Sequence, residues 1–194
     1  RVDEPMSEQL CFWDNDPTLH NVFFAALPDT TMVASSGRIA GNVIRRLGVT
    51  ATPIPPERLH ISLLSVGGFS GSCPSAVIDA AMMAAGTVST APFRVEFDRV
   101  ASFSGGHGKR ALVLTGGDGV AGLVTLQTAL SQAMLKVGLR PRQRPGISPH
   151  LTMMYADRKC EFPIEPTGWT VTRFVLVDSL FGQSRHVHLG QWSL

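Results

Sequence analysis

The spacing of apolar residues predicts an α+β fold for this chain. Seven segments have strand-like patterns and three have helical spacing, in the order β α β α β β α β β β. A histidine motif opens a strand in each half of the chain, which indicates two comparable halves. We therefore expect two mostly antiparallel sheets that face each other across a central cleft, with the helices packed outside.

The first half alternates strands and helices. Apolar runs bounded by turn residues predict the strands, while Asp29 is expected to cap the first helix and Gly48 to end it. The predicted elements are a strand at 21–27, a helix that ends near Leu47, the first motif strand at 59–66 and a helix at 74–86.

The second half begins with a predicted hairpin. Phe93, Val95 and Phe97 alternate along its first strand, and a glycine-rich turn leads to the second. The predicted elements are strands at 93–103 and 111–115, a helix at 119–137 and strands at 151–155, 170–180 and 186–192. Residues 1–20 are polar and aperiodic, so we expect an N-terminal extension at 1–20 and a single bilobal domain at 21–194.

Composition narrows the class of protein. Charged residues make up 16% of the chain and the net charge is +2, which permits an anionic ligand but is not typical of proteins that coat nucleic acids. Cys11, Cys73 and Cys160 lie far apart, which indicates neither a disulfide framework nor a metal site. With no secretory or membrane-spanning stretch recognised, we expect a cytoplasmic protein that contacts no membrane. The sequence predicts no protein partner.

Two short motifs suggest the chemistry. His60 lies two residues before Ser62, and His150 lies two residues before Thr152, each pair at the head of an apolar run. Because strand side chains alternate between faces, the histidine and the hydroxyl of each pair are expected to point the same way. Two such pairs can hold a phosphate from both sides, which predicts acid–base chemistry on a phosphodiester.

Larger blocks of sequence carry a family resemblance. The chain resembles the 2H phosphoesterase superfamily, in particular its 2′-5′ RNA ligase-like or RNA 2′,3′-cyclic phosphodiesterase branch. The blocks, in family order, are FFAAL at 23–27, PPERLHISLLSVG at 55–67, PFRVEFDRVASF at 92–103, SPHLTMMY at 148–155 and FVLVDSLFGQSRHVHLGQW at 174–192. The chain departs from bacterial members, which often carry an aromatic residue, an arginine and a tyrosine where Ser65, Tyr155 and His186 stand.

The resemblance implies a site and a substrate class. It implies that His60, Ser62, His150 and Thr152 are catalytic and that no metal or other cofactor is needed. The implied substrate is a nucleotide or RNA end with a 2′,3′-cyclic phosphate or a 2′-5′ linkage. It also suggests His150 as the base that activates water and His60 as the acid that protonates the departing 2′ oxygen, with a 2′-phosphate as the product.

Other side chains are candidates for substrate binding. Arg142 and Arg144 precede the second motif and suit RNA phosphates. Phe24 and Tyr155 are predicted to stack on bases; Phe23 and Phe24 alternate faces, so at most one of the two meets the groove.

Three alternatives to a hydrolase remain open. The same groove can bind a nucleotide or RNA end with little turnover, or it can catalyse 2′-5′ ligation. His186 and His188 share a face and can ligate a metal, but a pair of ligands is not a site, and a structural or surface role is favoured for them.

Overall fold

The computed structural model describes residues 19–104, 108–141 and 148–194. Its helices are α1 (Thr30–Leu47), α2 (Ser75–Gly86) and α3 (Ala121–Lys136). Its strands are β1 (His20–Ala26), β2 (Ile61–Phe69), β3 (Phe93–Ser104), β4 (Arg110–Thr115), β5 (Leu151–Ala156), β6 (Glu161–Val171), β7 (Arg173–Leu180) and β8 (Arg185–Ser193). The α+β class is confirmed. The predicted extension at 1–20 lies almost wholly outside the described residues.

The strands form one sheet rather than the two facing sheets that the sequence led us to expect. Its order is β6-β3-β4-β5-β2-β1-β7-β8, and every neighbouring pair is antiparallel. Two four-strand halves are joined where β2 meets β5, at the single register pair Ile61 and Leu151. Because backbone pairing crosses this seam, the two halves are one continuous sheet.

Sequence reasoning missed strand β6 and merged its end with β7. Pro163, Pro166 and Gly168 lie within β6, and such residues argue against a central strand. The structure places β6 at the edge of the sheet, where a proline that lacks an N–H is tolerated because one side of the strand needs no partner.

The helices pack against the sheet in one main core. Asp29 caps α1 by accepting a 2.7 Å hydrogen bond from the Met32 backbone N–H, and Gly48 ends it with φ of 60°. Buried residues from all three helices join those of the strands in a single cluster. Among the residues that the structure describes, no helix is long and apolar enough to cross a membrane.

A second, smaller apolar cluster lies on the other face of the sheet. It consists of Phe23, Ala25, Val175 and Val177, with Leu27 packed against it. These residues alternate along β1 and β7 with residues of the main core, so they belong to the face that the helices leave open. We call this face the groove face.

Candidate active site

The seam of the sheet brings the two sequence motifs together. Ile61 and Leu151 are register partners, and both are fully buried in the main core. Side chains alternate along a strand, so the residues on either side of this pair point to the groove face. The histidine and hydroxyl of both motifs are those flanking residues.

The antiparallel register fixes how the four motif residues face one another. Continued by one residue on either side of the Ile61–Leu151 pair, this register puts His60 across from Thr152 and Ser62 across from His150. On this register the two histidines are diagonal neighbours, which lie about 7–8 Å apart in an antiparallel pair. The charge of His150 contributes to lowering the pKa of His60, as expected for neighbouring rings.

A β-bulge follows each motif at the same offset. Register shifts leave Leu63 of β2 without a partner on β1, and Met153 of β5 without a partner on β4. Two consecutive buried residues result in each strand, so Ser65 and Tyr155 turn to the groove face instead of the core. The bulges thus add one hydroxyl group per half to the groove beyond those of the motifs.

Both histidines are held in the same tautomer. The Nδ1 of His60 lies 2.7 Å from the Arg58 carbonyl, and the Nδ1 of His150 lies 2.9 Å from the Ser148 carbonyl. A carbonyl only accepts hydrogen bonds, so each Nδ1 is the donor. Each neutral ring therefore has its Nε2 lone pair free for proton transfer.

Burial favours the neutral form of both rings. It lowers the pKa of His60, the charges of Arg58 and His150 lower it further, and the hydrogen bond to the Arg58 carbonyl opposes them. Burial likewise lowers the pKa of His150, against the hydrogen bond to the Ser148 carbonyl. A bound phosphate supplies negative charge and favours protonation of one ring.

The aromatic residue beside His60 is Phe23, which corrects the assignment of Phe24. The Phe23 and His60 rings are 5.0 Å apart. Phe24 is fully buried on the opposite face and packs against Phe174 and Trp192. Strand alternation permits only one of the two phenylalanines in the groove, and the sequence did not indicate which.

His186 is a third histidine of the groove. Its ring lies 5.1 Å from that of His60 and 5.9 Å from that of Phe23. Burial first, and then the charges of His60, Arg58 and His188, together lower the pKa of His186 to about 4. His186 is therefore neutral near pH 7, and only the pairing of β8 with β7 brings it to the first motif.

Arg58 places a cation beside this group of rings. It lies in a 3-10 turn (Pro56–Arg58) just before β2, and its charge acts on both His60 and His186. Its Nε is buried without a hydrogen-bond partner. An arginine in this position can pair with a substrate phosphate.

The second half of the groove face has its own aromatic contact and a pocket. Phe103 packs on His150 with ring centroids 4.8 Å apart. A pocket of about 510 Å³ opens beside them, lined by Phe103, Ser148, Arg99 and Lys159 among others. Phe103 is far from His150 in sequence, so no local pattern could reveal this contact.

The remaining predicted substrate residues have different outcomes. Tyr155 lies on the groove face and is 49% exposed, as base stacking requires. Arg142 and Arg144 lie outside the described residues.

Among the described residues, no third metal ligand accompanies His186 and His188. Register partners on β7 place both on the groove face, but His188 is exposed. Within residues 19–104, 108–141 and 148–194, the one cluster of three potential metal ligands is formed by other residues, on the opposite face.

A known protein family matches most of this chain. The model of the 2′-5′ RNA ligase superfamily matches residues 44–180, more than two thirds of the chain, and spans both motifs. The chain belongs to the 2′-5′ RNA ligase superfamily, a group of 2H phosphoesterases. No curated protein sequence matches it.

Solved structures of other proteins share this fold. E. coli LigT in its apo form has a TM-score of 0.68 and 20% identity, with 91% of this chain and 98% of LigT covered. LigT complexed with 3′-AMP gives a TM-score of 0.69 at 20% identity over the same shares. The protein TT0787 of Thermus thermophilus gives 0.68 at 20% identity, covering 90% of this chain and 97% of that protein. At this identity the likeness establishes the fold alone.

Proposed function

We propose that this member of the superfamily is a metal-independent phosphodiesterase that acts on RNA 2′,3′-cyclic phosphate or 2′-5′ phosphodiester ends. The observation that carries the proposal is the pair of half-buried histidines, one from each half of the sheet. In both, Nδ1 is hydrogen-bonded to a backbone carbonyl. Complexes of the relative LigT with 3′-AMP and with phosphate support a nucleotide-like ligand for this fold.

The chemistry requires a base and an acid on opposite sides of phosphorus. In the proposed reaction His150 Nε2 takes a proton from water, and the water oxygen forms a bond to phosphorus. The bond to the 3′ oxygen breaks as His60 Nε2 gives that oxygen a proton, which leaves a 2′-phosphate. The departing atom is the 3′ oxygen and not the 2′ oxygen first expected, because a 2′-phosphate keeps its bond to the 2′ oxygen. Attack and departure are in line, so two histidines from facing halves satisfy the geometry.

Hydroxyl groups and Arg58 stabilise the negative charge that develops on the oxygens bound to phosphorus. Ser62 and Thr152 donate hydrogen bonds to the non-bridging oxygens, and Arg58 adds a cation. Tyr155 and the pocket beside Phe103 provide surfaces for the bases. No step in this scheme uses a metal ion.

The proposal includes organisation and location. Residues 21–194 act as a single bilobal domain, with residues 1–20 as an extension. The protein works in the cytoplasm, a location that the cysteines favour because their wide spacing in the sequence does not indicate a disulfide framework.

A product assay in EDTA tests the proposal. The panel contains the four nucleoside 2′,3′-cyclic phosphates and 2′-5′ dinucleotides, with 3′-5′ dinucleotides as the control and His150→Gln protein to exclude a contaminating nuclease. We expect chelator-resistant conversion of the cyclic or 2′-5′ substrates only. Tight binding without product would support the binding alternative, and activity that needs an added divalent ion would overturn the proposal.

A further inference from the structure

A compact cluster of metal-ligating side chains lies on the helix face of the sheet, away from the groove. His20 at the start of β1 and Asp178 of β7 lie 2.7 Å apart, Nδ1 to Oδ2. Cys73, in the loop before α2, places its Sγ 3.9 Å from the same carboxylate oxygen. One ligand atom from each of the three residues lies within 4.8 Å of the others.

Asp178 provides a second, independent indication of a ligand. The residue is only 7% exposed, and its Oδ1 is buried with no hydrogen-bond partner. Leaving such an oxygen unsatisfied costs free energy, and native proteins rarely do so. His20 already occupies Oδ2, so Oδ1 is the oxygen that remains for a cation.

We propose that His20, Cys73 and Asp178 form a zinc site that tethers the loop before α2 to strands β1 and β7. Imidazole nitrogen, thiolate sulfur and carboxylate oxygen are the three ligand types that Zn²⁺ takes in proteins, and the thiolate disfavours Mg²⁺ or Ca²⁺. A tetrahedral ion with Zn–N and Zn–O bonds near 2.0 Å separates those two atoms by about 3.3 Å. Rotating the Asp178 carboxylate to present Oδ1 provides that separation, and water completes the fourth position.

The site is separate from the proposed phosphodiesterase chemistry. Register places Asp178 opposite Val22, a residue of the main core, so the cluster and the two motif histidines lie on opposite faces of the sheet. Zinc here joins three segments that are distant in sequence, and it stabilises the folded chain by binding it in preference to the unfolded one.

Metal titration of the full chain tests this proposal. The reduced, chelator-treated protein is dialysed and titrated with Zn²⁺, and separately with Co²⁺ as a spectroscopic probe. We expect one tightly bound equivalent, a thiolate-to-cobalt charge-transfer band, and a rise in Tm of about 5–10 °C at a hundredfold excess of zinc over Kd. Cys73→Ser and Asp178→Asn should lose the band and the rise in Tm.

Matched variants distinguish this site from other side chains that can bind the metal. Cys160→Ser removes the other described cysteine, and His186→Phe removes a groove histidine; both should still bind one equivalent. If Asp178→Asn does not fold, Cys73→Ser alone decides, since Cys73 is only partly buried. No saturable binding, or a cobalt band that survives Cys73→Ser, would overturn the proposal.

Discussion

The Nδ1 contacts of His60 and His150 decide which ring nitrogen is available for proton transfer. In both rings Nδ1 donates a hydrogen bond to a backbone carbonyl, so Nε2 is the nitrogen that can take or give a proton. His60 differs from His150 in its surroundings, because Arg58 and His186 flank it while Phe103 is the aromatic neighbour of His150. The two histidines are therefore alike in tautomer and unlike in electrostatics.

Arg58→Gln should change the pH dependence of the reaction. The Arg58 charge lowers the pKa of His60, so removing it raises that pKa. With His60 as the acid, which works protonated, the alkaline limb of the kcat/KM profile should move to higher pH. Arg173→Gln, an exposed arginine at the start of β7, is the control and should leave the limb in place. A limb that stays or moves to lower pH in Arg58→Gln would contradict the electrostatic account.

Phe23 and Phe24 form a matched pair for separating groove from core. Phe23→Leu removes a ring from beside His60 and should lower kcat/KM by about 3–10-fold, the equivalent of one aromatic contact. Phe24→Leu loosens the core and should lower the free energy of unfolding by roughly 1 kcal/mol with little change in kcat/KM. Equal losses of kcat/KM in the two folded variants would mean that the position of Phe23 beside His60 does not matter for the reaction.

The two β-bulges are the elements that shape the groove. Each follows its motif by one residue and makes two consecutive residues of the strand face the core. The pattern is visible in the sequence as two apolar residues between hydroxyl-bearing ones, in SLLS of β2 and TMMY of β5. Without the bulge Tyr155 would point into the core.

Tyr155→Ala tests the consequence of the second bulge. The side chain is 49% exposed on the groove face, so its loss should spare stability. If it stacks on a base, KM for cyclic nucleotides should rise by about 5–100-fold. Met83→Ala, at an exposed position of α2, is the control and should leave KM unchanged. An unchanged KM in Tyr155→Ala would remove this residue from the substrate site.

Local signals in the sequence predicted most helices and strands. In the groove they predicted the two motifs but not the neighbouring Phe103 and His186. Asp29, Gly48 and the apolar periodicities act within a few residues, so helix ends and most strands could be located. The prolines of β6 hid a strand because only an edge position tolerates them, and the sequence does not show which strands lie at the edge. Phe103 and His186 reach the motif histidines through strand pairing alone, which periodicity cannot reveal.

Within the described residues, the sheet consists of two four-strand halves that meet where β2 pairs with β5. Pairing of Ile61 with Leu151 carries both motifs to the same place and orients them antiparallel. In the proposed reaction both halves act on one phosphate. The loss of either histidine should therefore disable the same step.

A double-mutant cycle on His60 and His150 tests this central claim most directly. Initial rates on a 2′,3′-cyclic nucleotide are measured in EDTA for the unmodified chain, His60→Ala, His150→Ala and the double variant. Each single variant should lose about 10²–10⁴-fold in kcat, and the double variant should fall within about tenfold of the worse single variant. Losses that multiply in the double variant, or a single variant that keeps full activity, would contradict one shared acid–base site.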